Sequence, residues 1–366
     1  MDSLKSFIIL LVVVLHASAI YMKNAPEWWY VVDPQNSLFF TLLSILISVP
    51  IMAVMFFVAG YFSLKSLQKT GIQHYIKNKL IRIGIPWVIG AIVLAPITGY
   101  FIHFSRDLPM GFFHFVLYDH WVNSYQQSVY WFLGVLLLFF LILALAFNFS
   151  ARLQSVRPKT SIPTWKTYLG FVVLCIASML LVNQFVPMNS WYTGLYVVMF
   201  QPVKLPLYVS YFCLGIFAYL NNWYPIRNEN LTLRYRFLFW VVAAMLYLLQ
   251  RIKVLPAISD AEFIGQLSQI VLFNLYCFSS LIFGVALFQK KVNENNVFWR
   301  AMNRTSYGIY FIHIIILCPL AYMFLSFDMP LSVKASLVVF LTVLVSWAVS
   351  HWGLNRAPLL KRSFST

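Results

Sequence analysis

Long apolar stretches alternate with short polar segments along almost the whole chain. Ten stretches reach or approach the length of about 18 residues that a membrane-spanning helix needs. Their approximate bounds are 4–22, 38–63, 84–104, 130–150, 167–185, 206–221, 236–251, 267–289, 306–327 and 332–353. The sixth is short, and the second is long enough to tilt or to kink at Pro50. The pattern predicts an all-α integral membrane protein of about ten transmembrane helices, with residues 1–366 forming a single membrane-embedded domain.

The basic residues are spread unevenly over the connecting segments. If the amino terminus lies inside, 20 of the 26 Lys and Arg residues fall in inner segments. This distribution follows the positive-inside rule and predicts that both termini are cytoplasmic. The same asymmetry accounts for the net charge of +16, which in a soluble protein would suggest nucleic acid as a partner. We therefore expect the lipid bilayer, and no nucleic acid, among the partners.

The first apolar stretch contains an ionisable residue, His16, eleven positions after Lys5. Eleven residues make about three helical turns, so both side chains lie on nearly the same helix face, on the order of 16 Å apart along the axis. An imidazole inside an apolar span is costly, which makes it a functional-site hypothesis by default. A neutral imidazole can accept a proton from a hydroxyl group. The alternative is a structural hydrogen bond between helices.

A second intramembrane histidine, His313, follows Tyr310 by three positions, so the two share a helix face. Lys79 and Arg82 are also three apart, at the inner edge of the third span. They suit either contacts with lipid phosphates or a site for an anionic cytoplasmic ligand such as a nucleotide or coenzyme A.

Aromatic residues concentrate in the segments predicted to lie outside. The sequence Trp28-Trp29-Tyr30 occupies the first of them, and Trp121 and Tyr125 lie in the second. Such clusters are typical of the interfacial aromatic belt. They also suit a platform on which a sugar ring could stack, and the sequence leaves both interpretations open.

Five short segments stand in a recognisable order. They are Lys5 with His16, Phe56-Phe57-Val58-Ala59-Gly60-Tyr61-Phe62, Lys79 to Pro86, Val129-Tyr130-Trp131-Phe132-Leu133, and Ser306 to His313. In that order they resemble the Arg-x10-His, FFxxSGF/Y, RxxR-then-Pro, HLWFL and SYxxYxxH segments of acyltransferase family 3, the multi-pass membrane O-acyltransferases. Lys5, Ala59 and Val129 stand where that family usually has Arg, Ser and His. Residues 28–33 and the Ala59-Gly60 pair look most like the glucan-modifying branch, represented by glucans biosynthesis protein C.

The resemblance implies an enzyme of the plasma membrane, the inner membrane of a bacterium. It would transfer an acetyl or succinyl group from a cytoplasmic acyl-CoA co-substrate to a hydroxyl of an extracytoplasmic saccharide or glucan, without a bound cofactor or metal. His16 would be the general base. Lys5, Lys79 and Arg82 would bind the donor, and Trp131, Tyr310 and His313 would shape the cavity or orient His16.

Two alternatives stay open. A membrane cavity with two histidines also suits a proton-coupled transporter or flippase for a glycan or anionic substrate. The second alternative is a catalytically idle relative of the family, because Lys5 and Val129 replace the family's usual Arg and His.

Overall fold

The computed structural model describes residues 1–161, 163–194, 197–223, 233–254, 263–292, 296–354 and 361–364. Ten main helices lie within these ranges: α1 Asp2–Ile20, α2 Leu38–Thr70, α3 Ile72–Phe104, α4 Trp131–Phe149, α5 Trp165–Asn183, α6 Leu205–Leu220, α7 Leu233–Val254, α8 Phe263–Lys291, α9 Val297–Leu325 and α10 Leu331–Ala348. Two short strands, β1 Tyr192–Gly194 and β2 Val198–Phe200, form an antiparallel hairpin between α5 and α6. Within the described ranges the chain is an all-α, multi-pass membrane protein, as predicted.

Nine of the described helices are long and apolar enough to cross a bilayer, and α6 is the shorter apolar helix that the sequence also indicated. Several helices extend well beyond the apolar stretches. Residues 64–83, predicted as a connecting segment, are almost entirely helical, because α2 continues through Pro50 to Thr70 and α3 begins at Ile72. Hydropathy identifies only the apolar part of a helix, so the polar helical turns that continue it were predicted as a connecting segment. The turn itself is Gly71, whose φ of 75° favours glycine.

Helix α1 lies inside the bundle, packed against α2, α8, α9 and α10. Its face toward α9 carries small residues, and these let the two helices approach closely. The Ser6 hydroxyl donates to Oδ1 of Asn303 at 2.7 Å, and the Asn303 amide donates to Ser3 at 3.4 Å. This central place surrounds His16 with helices instead of lipid.

Helices α2 and α6 are in backbone contact. A Cβ atom added at Gly60 would lie 2.0 Å from the Phe212 carbonyl oxygen, and one at Gly215 would lie 2.1 Å from the Phe57 carbonyl oxygen. Small residues allow such close approach in membranes, where apolar burial alone does not drive helix association. The Phe56–Phe62 segment therefore serves helix packing through its glycine.

The segment 21–37 folds back over the end of α1. The Asp33 amide donates to the Ile20 carbonyl at 3.0 Å, and the Ser37 amide donates to the Tyr21 carbonyl at 3.0 Å. Together with residues 105–130 and the β hairpin, this segment covers the bundle at the end predicted to be extracytoplasmic. The Gln127 amide joins two of these parts by donating to the Val197 carbonyl at 2.6 Å.

Candidate active site

The two intramembrane histidines meet in the interior of the bundle. The Nδ1 atom of His16 on α1 lies 2.8 Å from the Nε2 atom of His313 on α9. The Nδ1 atom of His313 lies 2.6 Å from the Tyr310 carbonyl oxygen, one turn earlier on the same helix. His313 is fully buried, whereas His16 is partly exposed.

The Tyr310 carbonyl determines how the hydrogens are arranged along this chain of contacts. A carbonyl oxygen only accepts, so Nδ1 of His313 carries the hydrogen. The Nε2 atom of neutral His313 is then an acceptor, and Nδ1 of His16 donates to it. In neutral His16 the hydrogen is thereby on Nδ1, which leaves Nε2 as the basic nitrogen. A fixed tautomer with a free Nε2 is what a general base needs.

His16 lines a cavity of about 660 Å³ below the outer segments, which we call the aromatic cavity. Its walls combine aromatic rings with imidazole, amide and hydroxyl groups. Its lining includes Trp28, Trp29, Tyr30, His103, Phe115, Asn123, Ser124, Tyr125, Gln126, Ser128, Trp131 and Trp191. Among the described lining residues there is no Asp, Glu, Lys or Arg. The lining thus offers stacking faces and neutral hydrogen-bonding groups beside a basic nitrogen.

The wall nearest to His16 comes from Trp28-Trp29-Tyr30. The ring centroids of Trp29 and His16 are 5.5 Å apart. The Arg106 guanidinium holds this wall by donating to the Trp29 carbonyl at 2.9 Å, and the Ser105 hydroxyl donates to the Tyr30 carbonyl at 2.9 Å. The structure thus places these three residues in the wall of the aromatic cavity.

The Tyr30 hydroxyl faces the opposite wall and donates to Ser128 Oγ at 2.8 Å. Burial raises the pKa of the Tyr30 phenol above its usual value, although the hydrogen bond to Ser128 opposes that shift. Tyr30 therefore stays protonated near neutral pH and acts only as a hydrogen-bonding group.

Trp131 and Tyr310 occupy different positions around the histidine pair. Trp131 lines the aromatic cavity and packs edge-on against Trp191 of the segment before β1, with centroids 5.3 Å apart. Tyr310 is buried behind the pair, and its hydroxyl donates to the Val129 carbonyl. Val129, where the family usually has a histidine, thus contributes its backbone to holding Tyr310.

The three basic residues proposed from the sequence lie near one another, at the opposite end of α1 from the aromatic cavity. Arg82 interacts electrostatically with both Lys5 and Lys79. Lys79 lies over the Phe140 ring at 4.0 Å from its centroid, while Lys5 is 3.9 Å from the Asp2 carboxylate. We call Lys5, Lys79 and Arg82 the basic cluster. About 16 Å of helix separates Lys5 from His16, by the helical rise.

Sequence reasoning missed several residues that line the aromatic cavity. His103, Gln126 and Ser128 are single polar residues in or near apolar runs, and no spacing distinguishes them. Trp191 lies in a segment whose hairpin the sequence did not predict. Trp29 carried a signal, because it belongs to an aromatic cluster, but its contact with His16 depends on how segment 21–37 folds back.

The fold is that of a multi-pass membrane protein. In its site, His16 and His313 lie between the basic cluster at one end of α1 and the aromatic cavity at the other. The chain belongs to the acyltransferase-3 family: the model of that family, described as an acyltransferase domain, matches residues 1–351. This protein is accordingly a membrane acyltransferase in general class. No curated protein and no solved structure matches the chain significantly.

Proposed function

We propose that the protein transfers an acetyl or succinyl group from acyl-CoA to a hydroxyl of an extracytoplasmic saccharide, with a glucan as the favoured acceptor. The observation that carries this proposal is the position of His16, whose free Nε2 belongs to a residue that lines the aromatic cavity. Aromatic faces and neutral polar groups are the surfaces on which an uncharged sugar binds. The site would lie in the plasma membrane, with the basic cluster on the cytoplasmic side.

The reaction requires a base and the placement of two substrates. Nε2 of His16 accepts the proton of the acceptor hydroxyl while the hydroxyl oxygen attacks the thioester carbonyl carbon. The carbon–sulfur bond then breaks, and the leaving thiolate takes the proton from His16. The products are an ester and coenzyme A, and His16 is neutral again.

His313 and the basic cluster have supporting roles in this scheme. His313 accepts the Nδ1 hydrogen of His16 and so stabilises the imidazolium that forms during attack. Lys5, Lys79 and Arg82 bind the phosphates of the donor. The rest of the acyl-CoA molecule then extends along α1, so that its thioester reaches His16. Trp131 forms part of the acceptor wall.

The test is acyl transfer by purified protein in detergent micelles, with radiolabelled acetyl-CoA or succinyl-CoA and a neutral glucan. Micelles have no second compartment, so covalent ester formation reports the enzyme and excludes transport as its cause. We expect labelled, alkali-labile glucan ester. The absence of ester with both donors, combined with proton-dependent glycan uptake in proteoliposomes, would instead favour the transporter.

A further inference from the structure

A buried ion pair lies at the outer end of the bundle. Nζ of Lys334, in the first turn of α10, is 3.0 Å from Oδ2 of Asp33, and their side chains are 1% and 2% exposed. The other carboxylate oxygen of Asp33 accepts the Gln35 amide hydrogen at 2.8 Å. The scheme for acyl transfer uses neither charged residue.

Stability alone is a weak explanation for this pair. Removing two charges from water is costly, and apolar residues of similar volume often give an equally stable fold. What a buried pair does supply is a defined geometry, because each partner is left with an uncompensated charge if the other moves away. The role of this pair therefore depends on the segments that it holds in place.

The pair fixes the segment that forms the wall over His16. Asp33 is tied through its backbone to Ile20, one helical turn beyond His16, and through its side chain to α10. Trp29, four residues before Asp33, contacts the His16 ring. Arg106 holds the other side of this wall from the end of α3. Segment 21–37 is thus held between α3 and α10, with Trp29 in the middle.

We propose that Asp33 and Lys334 are positioning residues whose ion pair holds Trp29 against His16 and thereby sets how an acceptor approaches Nε2. The proposal rests on the proposed acyl transfer for its kinetic consequence, but its structural consequence does not. Without the pair, Arg106 still anchors the Trp29 carbonyl, so the wall loosens and is not lost. The acceptor side of the site is affected, and the donor side is not.

The test compares Lys334→Met, the double variant Asp33→Asn/Lys334→Met, and Lys334→Arg. The single Met variant leaves Asp33 buried without its partner, whereas the double variant removes both charges and protects folding. Lys334→Arg keeps the ion pair. Lys23→Met is the matched control, because Lys23 is an exposed lysine on the same segment.

Two readouts separate the positioning role from the chemistry. The first is the rate at which diethyl pyrocarbonate modifies His16, followed by mass spectrometry, which needs no enzymatic activity. The second is the change in the KM for the acceptor compared with the change in the KM for acyl-CoA. We expect the double variant to show several-fold faster His16 modification and an acceptor KM raised several-fold, below the roughly tenfold that complete loss of an aromatic contact would give. Lys334→Arg and Lys23→Met should match the wild type.

If the double variant is folded and both readouts equal those of the wild type, the pair does not position Trp29 and the proposal is wrong. An equal rise in both KM values also contradicts it, as does faster modification of His16 in Lys334→Arg than in the wild type. If the wild type transfers no acyl group, the proposed function fails, while the modification rate of His16 still tests the positioning role.

Discussion

Nδ1 of His16 lies 2.8 Å from Nε2 of His313, although 297 positions separate the two residues in the chain. Together with the Tyr310 carbonyl, this contact places the hydrogen of each neutral ring on Nδ1. The basic nitrogen that remains is Nε2 of His16, the histidine that lines the aromatic cavity. His313 is therefore more than a neighbour of the proposed base, because it fixes the tautomer in which His16 can act.

Replacement of His313 by leucine removes the acceptor for the Nδ1 hydrogen of His16. Neutral His16 can then carry its hydrogen on either ring nitrogen, and the His16 imidazolium that develops during attack loses its hydrogen-bond acceptor. We expect kcat to fall about 10²-fold, the lower end of the range for general-base effects. His313→Gln, which offers a side-chain oxygen as acceptor, should retain more activity. The measurement is kcat at saturating donor and acceptor.

The control for this variant is His74→Leu, since His74 is an exposed histidine on α3. It should leave kcat unchanged. Equal kcat values for His313→Leu and the wild type would show that His16 needs no partner.

Neutralisation of the basic cluster should weaken donor binding selectively. We expect Lys5→Met and Arg82→Met each to raise the KM for acyl-CoA by roughly fivefold, equivalent to about 1 kcal/mol, with little change in the acceptor KM. The effect of Arg82→Met should shrink at high ionic strength, because Arg82 is exposed and salt screens exposed charges. Lys5→Arg keeps the charge and should bind the donor at least as well. Initial rates over a range of acyl-CoA concentrations check this.

Lys69→Met is the matched control, because Lys69 is an exposed lysine in the last turn of α2. A rise in donor KM of the same size in this control would mean that any positive charge at this end of the bundle suffices. That result would remove the basic cluster from the proposed donor site.

The close approach of α2 and α6 predicts opposite effects for two glycine substitutions. Gly60→Ala forces a Cβ atom against the Phe212 backbone, so we expect a loss of stability of about 1–3 kcal/mol or more. Gly170→Ala on α5 meets no atom within 4 Å and replaces a glycine inside a helix, so it should be neutral or stabilising by about 0.5–1 kcal/mol. Melting temperatures in detergent measure both. A Gly60→Ala protein as stable as the wild type would contradict the observed packing.

Acid sensitivity is expected from His120 in the outer segment. Its side chain is fully buried with neither ring nitrogen hydrogen-bonded, and burial lowers its pKa to about 4, against a smaller opposing effect of the Asp119 carboxylate. Because the folded state favours the neutral ring, stability is complete above the ordinary pKa of about 6.5. It falls as the pH drops from there toward 4, since the unfolded state then binds the extra proton.

His120→Phe removes this proton binding and should reduce the loss of melting temperature between pH 7 and pH 5. Comparison with the wild type at each pH isolates His120 from the other titrating histidines. If the two proteins lose melting temperature in parallel, His120 does not contribute to the acid sensitivity.

Hydropathy and helical spacing were enough to predict the ten helices and the shared face of Lys5 and His16, because both depend on local sequence. Helix ends were misplaced where polar turns continue a helix, as in residues 64–83. The Trp29 wall and the Asp33–Lys334 pair were not predictable from local patterns, and a role for His313 beside His16 was indicated only by the family resemblance. Each joins distant segments, and a buried Lys334 looks in the sequence like any lysine at a membrane edge.

The proposed reaction depends on His16 as the general base, and the rate of ester formation by purified His16→Ala protein measures that role. At saturating acyl-CoA and acceptor, we predict a kcat reduced by about 10²–10⁴-fold, with the melting temperature and donor KM close to those of the wild type. A His16→Ala protein that forms ester at the wild-type rate would show that His16 is not the general base.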